Sequence, residues 1–181
     1  MNLPNKLTIL RVCLIPFFVF FLMTDYCGAA GNYIALAVFI AASFTDMLDG
    51  KIARKYNLIT NFGKFMDPLA DKLLVCSALI CLIEKERISA IIVLVIIARE
   101  FIISGFRLIA SDKGVVIAAG YWGKLKTVVQ MVMIVVVILD IPLKGFEIAE
   151  QVLIWASLIL TVVSLVDYLI KNKAVLKEEN V

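Results

Sequence analysis

A chain of 181 residues that is 62% hydrophobic, with a mean hydropathy of +1.00, is too apolar for a water-soluble domain, which is about half apolar. The excess must face a bilayer, and the length allows about six spans of roughly 20 residues each, with no room for a second soluble domain. A net charge of +3 argues against a general nucleic-acid binder, and the absence of His removes the commonest general base and neutral metal ligand, so acid–base chemistry falls to Asp, Glu, Lys, Tyr or Cys.

Residues 1–6 mix Leu, Pro and Lys and read as a short interfacial segment. The apolar run that follows, roughly 8–24, has Lys6 and Arg11 at its start and so imitates a signal peptide, with Ala29 to Gly31 as a would-be cleavage region. Apolar segments continue to residue 170, so this run is read as the first span and not as a cleaved leader. Further segments cover roughly 33–50, 69–83, 88–110, 117–140 and 148–170, separated by charged or turn-forming stretches. The third is short unless its helix begins near Asp67 with Pro68 in the first turn. The predicted fold is therefore all-α and polytopic: six transmembrane helices in one membrane domain over 1–170, then a polar cytoplasmic tail over 171–181.

Lys and Arg set the orientation. With the N-terminus inside, 13 of the 18 basic residues fall on the inner side against 3 on the outer, leaving Lys72 and Arg99 within spans. Both termini are thus expected to be cytoplasmic. The four Cys show no C-x-x-C spacing and read as small hydrophobes. Ala37, Ala41, Ala119 and Gly123, at four-residue spacing, are expected to allow close helix packing. Tyr121 and Trp122 read as interfacial anchors, and Asp140 and Asp167, near span ends, as solvated.

The chemistry concentrates in 46–71, DMLDGKIARKYNLITNFGKFMDPLAD. Asp46 and Asp49 are three apart at the inner end of the second span, and Asp67 and Asp71 four apart at the start of the third. Each pair shares a helix face, and a short connection brings the pairs together. A single Asp at the centre of a membrane helix costs about 2.5–3.5 kcal/mol, less near the interface, and mutual repulsion adds to that. Two divalent cations would neutralise four carboxylates, and an all-oxygen ligand set favours Mg²⁺ or Mn²⁺. Such ions could clamp a diphosphate. Between the pairs, Gly50 and Ala53 remove bulk, Arg54 offers a forked phosphate donor, and Gly63 lets the connection turn closely over a ligand. Helix capping would explain Asp67, just before Pro68, but not Asp46 or Asp71.

These residues resemble the signature of the CDP-alcohol phosphatidyltransferases, D-x-x-D-G-x-x-A-R-x8-G-x3-D-x3-D. It is filled without departure by Asp46, Asp49, Gly50, Ala53, Arg54, Gly63, Asp67 and Asp71. The opening NLPNKLTILRVCLIPFF, AREFIISGFRLIA at 98–110 and GKLKTVVQM at 123–131 resemble the bacterial members that make phosphatidylglycerophosphate. The resemblance implies CDP-diacylglycerol and sn-glycerol 3-phosphate as substrates, CMP as leaving group, Mg²⁺ or Mn²⁺ as cofactor, and a dimeric six-helix fold in the bacterial cytoplasmic membrane with its polar cavity open to the cytoplasm. By matched position it makes Asp46, Asp49, Asp67 and Asp71 the metal ligands and Asp71 also the general base. It places Asp49, Gly50, Ala53, Arg54 and Gly63 at the CDP moiety.

A phosphorylated acceptor requires a cationic pocket. The candidates are Arg11, Arg99, Arg107, Lys124 and Lys126, with Thr8 as a hydroxyl donor. Arg99, deep in an apolar run, could instead pair with Glu100 or another span. Arg107, two turns along the same face and nearer the cytoplasm, is therefore the preferred phosphate residue. Lys124 and Lys126 could be inner-face anchors. The signature alone leaves serine, inositol phosphate or a phosphatidyl lipid open as acceptors. A divalent-metal transporter fits less well: transport sites lie near the midplane, whereas these acids lie at helix ends with Arg54 among them.

Overall fold

A computed structural model describes residues 2–28, 30–55, 61–112, 117–118 and 120–173; the side chains of 3, 4, 25, 46–55, 61–65 and 112 are outside that description. Among the described residues there are six α-helices and no strand: α1 (Leu3–Met23), α2 (Ala30–Lys55), α3 (Asn61–Glu84), α4 (Ala90–Asp112), α5 (Tyr121–Leu139) and α6 (Lys144–Lys171). Three stretches, Asn5–Met23, Tyr121–Leu139 and Lys144–Lys171, are long and apolar enough to cross a bilayer, and Ala30–Thr45 is a shorter apolar stretch. The protein is an all-helical, polytopic membrane protein. In α4 the apolar run is interrupted by Arg99, Glu100 and Arg107.

Two boundaries differ from expectation. Residues 3–6 are the first turn of α1, where Pro4 is tolerated because the opening N–H groups of a helix have no intrahelical acceptor. The third helix begins at Asn61 and not near Asp67, so Pro68 lies inside it and forfeits one i−4 hydrogen bond. Asp67 is consequently an interior helix residue and not a cap.

The chain forms two compact units. Unit 1 comprises residues 1–87 with 137–140, and unit 2 comprises 88–136 with 141–181. In unit 1, α1 packs most extensively on α2 and next on α3. The buried stripe of α1 recurs every three or four residues: Asn5, Thr8 and Arg11, then Ile15, Phe18 and Leu22. It is polar over its first two turns and apolar thereafter. The facing stripe of α2 is Gly31, Ala35, Phe39 and Ala42. At Gly31 a Cβ would come within 2.9 Å of the Phe21 carbonyl oxygen, so only glycine allows α1 to approach this closely. Ala37 and Ala41 lie on the exposed side of α2 instead; four-residue spacing identified a small-residue seam but not which face carries it. Ala119 is outside the described residues.

At the end of unit 1 away from Asp67, α3 closes in a Schellman turn. The Arg87 N–H bonds the Leu82 carbonyl (2.9 Å) and the Glu86 N–H bonds that of Ile83 (2.8 Å), with Glu86 left-handed at φ 57°. Arg87 forms an ion pair with Asp140, and Lys85 donates to Asn32 Oδ1 (3.0 Å). Asp140, expected to be solvated, is exposed yet ion-paired.

In unit 2, α4 packs on α6. The α6 stripe facing inward is Glu150, Ile154, Ser157, Thr161, Ser164 and Tyr168. Polar side chains dominate it, whereas the outward positions Val152, Trp155, Ile159, Val162, Val163 and Val166 are large, apolar and exposed. That inversion is stable only where the surroundings are lipid. Tyr121 and Trp122 are exposed and stack edge-to-face, 5.8 Å between ring centroids. Asp167 is held by Lys171 at 2.7 Å. All four Cys are free thiols; Cys81 is in the core and Cys13 faces outward.

Candidate active site

The first polar group lies in unit 1, at the start of α1 and α3. Asp67 and Asp71 are one turn apart on α3, both half-buried. Thr8, wholly buried on α1, donates its hydroxyl to Asp67 Oδ1 at 2.5 Å. A hydrogen bond of this kind fixes the rotamer of the carboxylate. Arg11 is also fully buried, with Nε towards the Ala42 carbonyl (3.3 Å) and Thr45 Oγ1 (3.4 Å). It therefore ties α1 to the turn of α2 that leads into Asp46. Asp46, Asp49, Gly50, Ala53 and Arg54 fall within α2 and Gly63 within α3, but their side chains lie outside the described residues.

Thr8 and Arg11 were candidates for an acceptor phosphate. The structure places both against the acidic helices, with Thr8 directly on a candidate metal ligand. Asn5, also buried and one turn before Thr8 on the same face, was missed by sequence reasoning. Its signal was available: positions 5, 8 and 11 continue the apolar stripe 15, 18, 22 with polar residues.

The second polar group lies in unit 2. Lys126 on α5 is 1% exposed and Arg99 on α4 is 7% exposed. Both contact the same oxygen, Oε1 of Glu100: Arg99 Nη1 at 3.1 Å, and Lys126 Nζ in a short ion pair. Arg99 Nε donates to Ser164 Oγ on α6 at 3.2 Å. Its Nη2 makes no hydrogen bond among the described residues and lies over Gly123, where a Cβ would stand 3.4 Å away. Gly123 thus lets the α5 backbone lie close against the guanidinium. The pairing of Arg99 with Glu100 exists as anticipated, and Lys126 joins it, which was not anticipated.

Arg107, two turns along α4, is exposed and rests over the Tyr168 ring at 5.9 Å. Lys124 is exposed, on the other side of α5 from Lys126. Of the cationic candidates in unit 2, Arg99 and Lys126 are the two that the fold brings together. Gln130, one turn beyond Lys126, is buried with Oε1 unbonded among the described residues, as is Ser157 Oγ.

The family model for CDP-alcohol phosphatidyltransferases matches residues 1–163. The chain belongs to this family. It is 42% identical to the CDP-diacylglycerol–glycerol-3-phosphate 3-phosphatidyltransferase of Bacillus subtilis (strain 168), over 99% of both chains. It is 39% identical to the protein of the same name from Rickettsia typhi, covering 92% of this chain and 94% of that one. A probable phosphatidylglycerophosphate synthase of Mycobacterium tuberculosis is 42% identical over 92% of this chain and 79% of its own.

CDP-alcohol phosphatidyltransferases are in general divalent-metal dependent. Among the described residues no cluster of three or more acidic, Cys or His ligands occurs. The described part of the candidate donor set is the carboxylate pair Asp67 and Asp71, with Asp67 oriented by Thr8. Hard oxygen donors of this kind fit Mg²⁺ or Mn²⁺ rather than a thiophilic metal.

Proposed function

We propose that this phosphatidyltransferase moves the phosphatidyl group of CDP-diacylglycerol onto sn-glycerol 3-phosphate, giving phosphatidylglycerophosphate and CMP, at the cytoplasmic face of a bacterial membrane. The observation that carries the choice of acceptor is the Arg99–Lys126 pair: two almost fully buried cations from different helices that meet on one carboxylate oxygen and suit a phosphate.

In this reading Asp46, Asp49, Asp67 and Asp71 would hold two Mg²⁺ or Mn²⁺ ions, which when bound supply neutralising charge to the diphosphate. Asp49, Gly50, Ala53, Arg54 and Gly63 line the CDP moiety. Asp71 accepts the proton of the acceptor's hydroxyl. The hydroxyl oxygen forms a bond to the phosphorus that carries diacylglycerol, in line with the diphosphate bridge. The bond from that phosphorus to the bridging oxygen breaks, and CMP departs with that oxygen and the electron pair. Positioning and charge stabilisation supply most of the acceleration. The acceptor phosphate is assigned chiefly to Arg99 and Lys126. Arg107 and Lys124 contribute at longer range, and Thr8 and Arg11 act through the acidic helices. The working form is a homodimer with both termini cytoplasmic.

The test is an assay of the purified protein with labelled CDP-diacylglycerol, offered glycerol 3-phosphate, serine, inositol phosphate and phosphatidylglycerol in turn. Label should enter lipid product with glycerol 3-phosphate and Mg²⁺ or Mn²⁺. Transfer to another acceptor at equal or greater efficiency would overturn the assignment.

A further inference from the structure

The mechanism above gives Glu100 no task, yet its Oε1 is the atom on which the two buried cations of unit 2 meet. We infer that Glu100 is a positioning residue for acceptor binding: it sets the spacing of Arg99 and Lys126 and so determines how well glycerol 3-phosphate is bound.

Arg99 and Lys126 come from different helices and carry like charges in a region almost closed to solvent. Without an anion between them they repel, and the low local dielectric magnifies that repulsion. Lys126 then has every reason to swing its flexible four-carbon stem towards the polar interface, because a lysine is a mobile point charge. Arg99 is less free, since Nε is fixed on Ser164 and the guanidinium lies over Gly123. Glu100 therefore acts mainly on Lys126, drawing its ammonium towards the guanidinium whose Nη2 remains without a protein partner among the described residues.

The adjacency is built into the sequence. Glu100 follows Arg99 directly on α4, so one backbone turn delivers both the cation and its counter-anion, and α5 supplies the second cation. A purely structural pair would need one cation for one carboxylate. Two cations from different helices held on one carboxylate oxygen form a preset cationic pair, and the phosphate of the proposed acceptor is the kind of anion such a pair suits. This inference rests on the reading of Arg99 and Lys126 as the acceptor-phosphate site.

The experiment compares Glu100→Gln, Lys126→Met and the double variant in the purified full-length enzyme, measuring kcat and KM for each substrate. Glu100→Gln should raise KM for glycerol 3-phosphate about tenfold, with kcat and the KM for CDP-diacylglycerol within about twofold of the parent. Lys126→Met should raise the same KM by about thirtyfold, and the double variant should match it within about twofold, because Glu100 acts through Lys126. Glu100→Asp, which keeps the charge on a stem one methylene shorter, should recover most of the loss. It also serves if the Gln variant does not fold. An unchanged or lower KM in Glu100→Gln beside a raised KM in Lys126→Met overturns the role of Glu100 and leaves the acceptor site standing. No change of KM in either variant overturns the acceptor site itself. Multiplicative effects in the double variant, or equal effects on both substrates, show that Glu100 only supports the fold, and overturn the inference.

Discussion

The polar groups of the two units are near opposites. In unit 1 the described acids, Asp67 and Asp71, are half-buried, and one is oriented by a neutral hydroxyl. In unit 2 the charges are cations buried almost completely, around a single carboxylate. The first group presents carboxylate oxygens and suits bound metal with a diphosphate. The second gathers two cations on one carboxylate oxygen and suits a free anion. A transferase with two phosphorylated substrates needs both kinds of site, and in the proposed reading they stand on different helices. In that reading the burial difference has a physical reason: an anionic metal site must admit hydrated ions and a nucleotide, whereas a small phosphate is held best where water competes least.

The largest expected effect removes the proposed base. Asp71→Asn should lower kcat by a factor of about 10² to 10⁴, the usual worth of general base catalysis. Wild-type-like turnover in single-turnover assays would remove Asp71 from that role. A smaller effect separates the units by metal dependence. Thr8→Val deletes the hydrogen bond to Asp67, and should lower kcat/KM roughly fivefold, as expected for about 1 kcal/mol. It should also raise the Mg²⁺ concentration needed for half-maximal rate. If Thr8→Val instead changes the KM for glycerol 3-phosphate alone, Thr8 belongs with the acceptor and the contrast between the units weakens.

Arg107→Ala should act more mildly, raising the KM for glycerol 3-phosphate about threefold and more than that for the lipid, since its guanidinium is exposed and rests on Tyr168. Equal effects on both substrates would argue against a place near the acceptor. The smallest effect concerns stability. Glu86 holds a left-handed conformation that costs a side chain about 1–2 kcal/mol, so Glu86→Gly should raise the thermal midpoint by a few degrees in detergent without changing either KM. A lower midpoint would mean that the Glu86 side chain contributes more than its backbone strain costs.

The two groups were not equally legible in the sequence. The acids of unit 1 fall within one short window at i+3 and i+4 spacing, so helix geometry alone pairs them. Unit 2 gathers residues 99, 100, 126 and 164 from three helices, and no local spacing connects them. Arg99 could be suspected from its depth in an apolar run, but Lys126 resembled an ordinary inner-face anchor until α5 turned it inward and left Lys124 outside. The small polar residues at 157, 161 and 164 in an otherwise apolar run were the readable sign of the partner face on α6. The six-helix architecture followed from hydropathy. The start of α3 did not, because Pro68 looked like a first-turn residue and is tolerated deeper in the helix. The seam on α2 was misplaced because four-residue spacing fits Ala37 and Ala41 as well as Gly31 and Ala35, and only the close approach to the Phe21 carbonyl selects between them.

The division of labour between the units is tested most directly by the two Michaelis constants of Lys126→Met measured in one assay. The KM for glycerol 3-phosphate should rise about thirtyfold, the equivalent of a lost charge-assisted hydrogen bond of about 2 kcal/mol, while the KM for CDP-diacylglycerol stays within about twofold. A rise of equal size for both substrates, or for the lipid alone, would contradict the account.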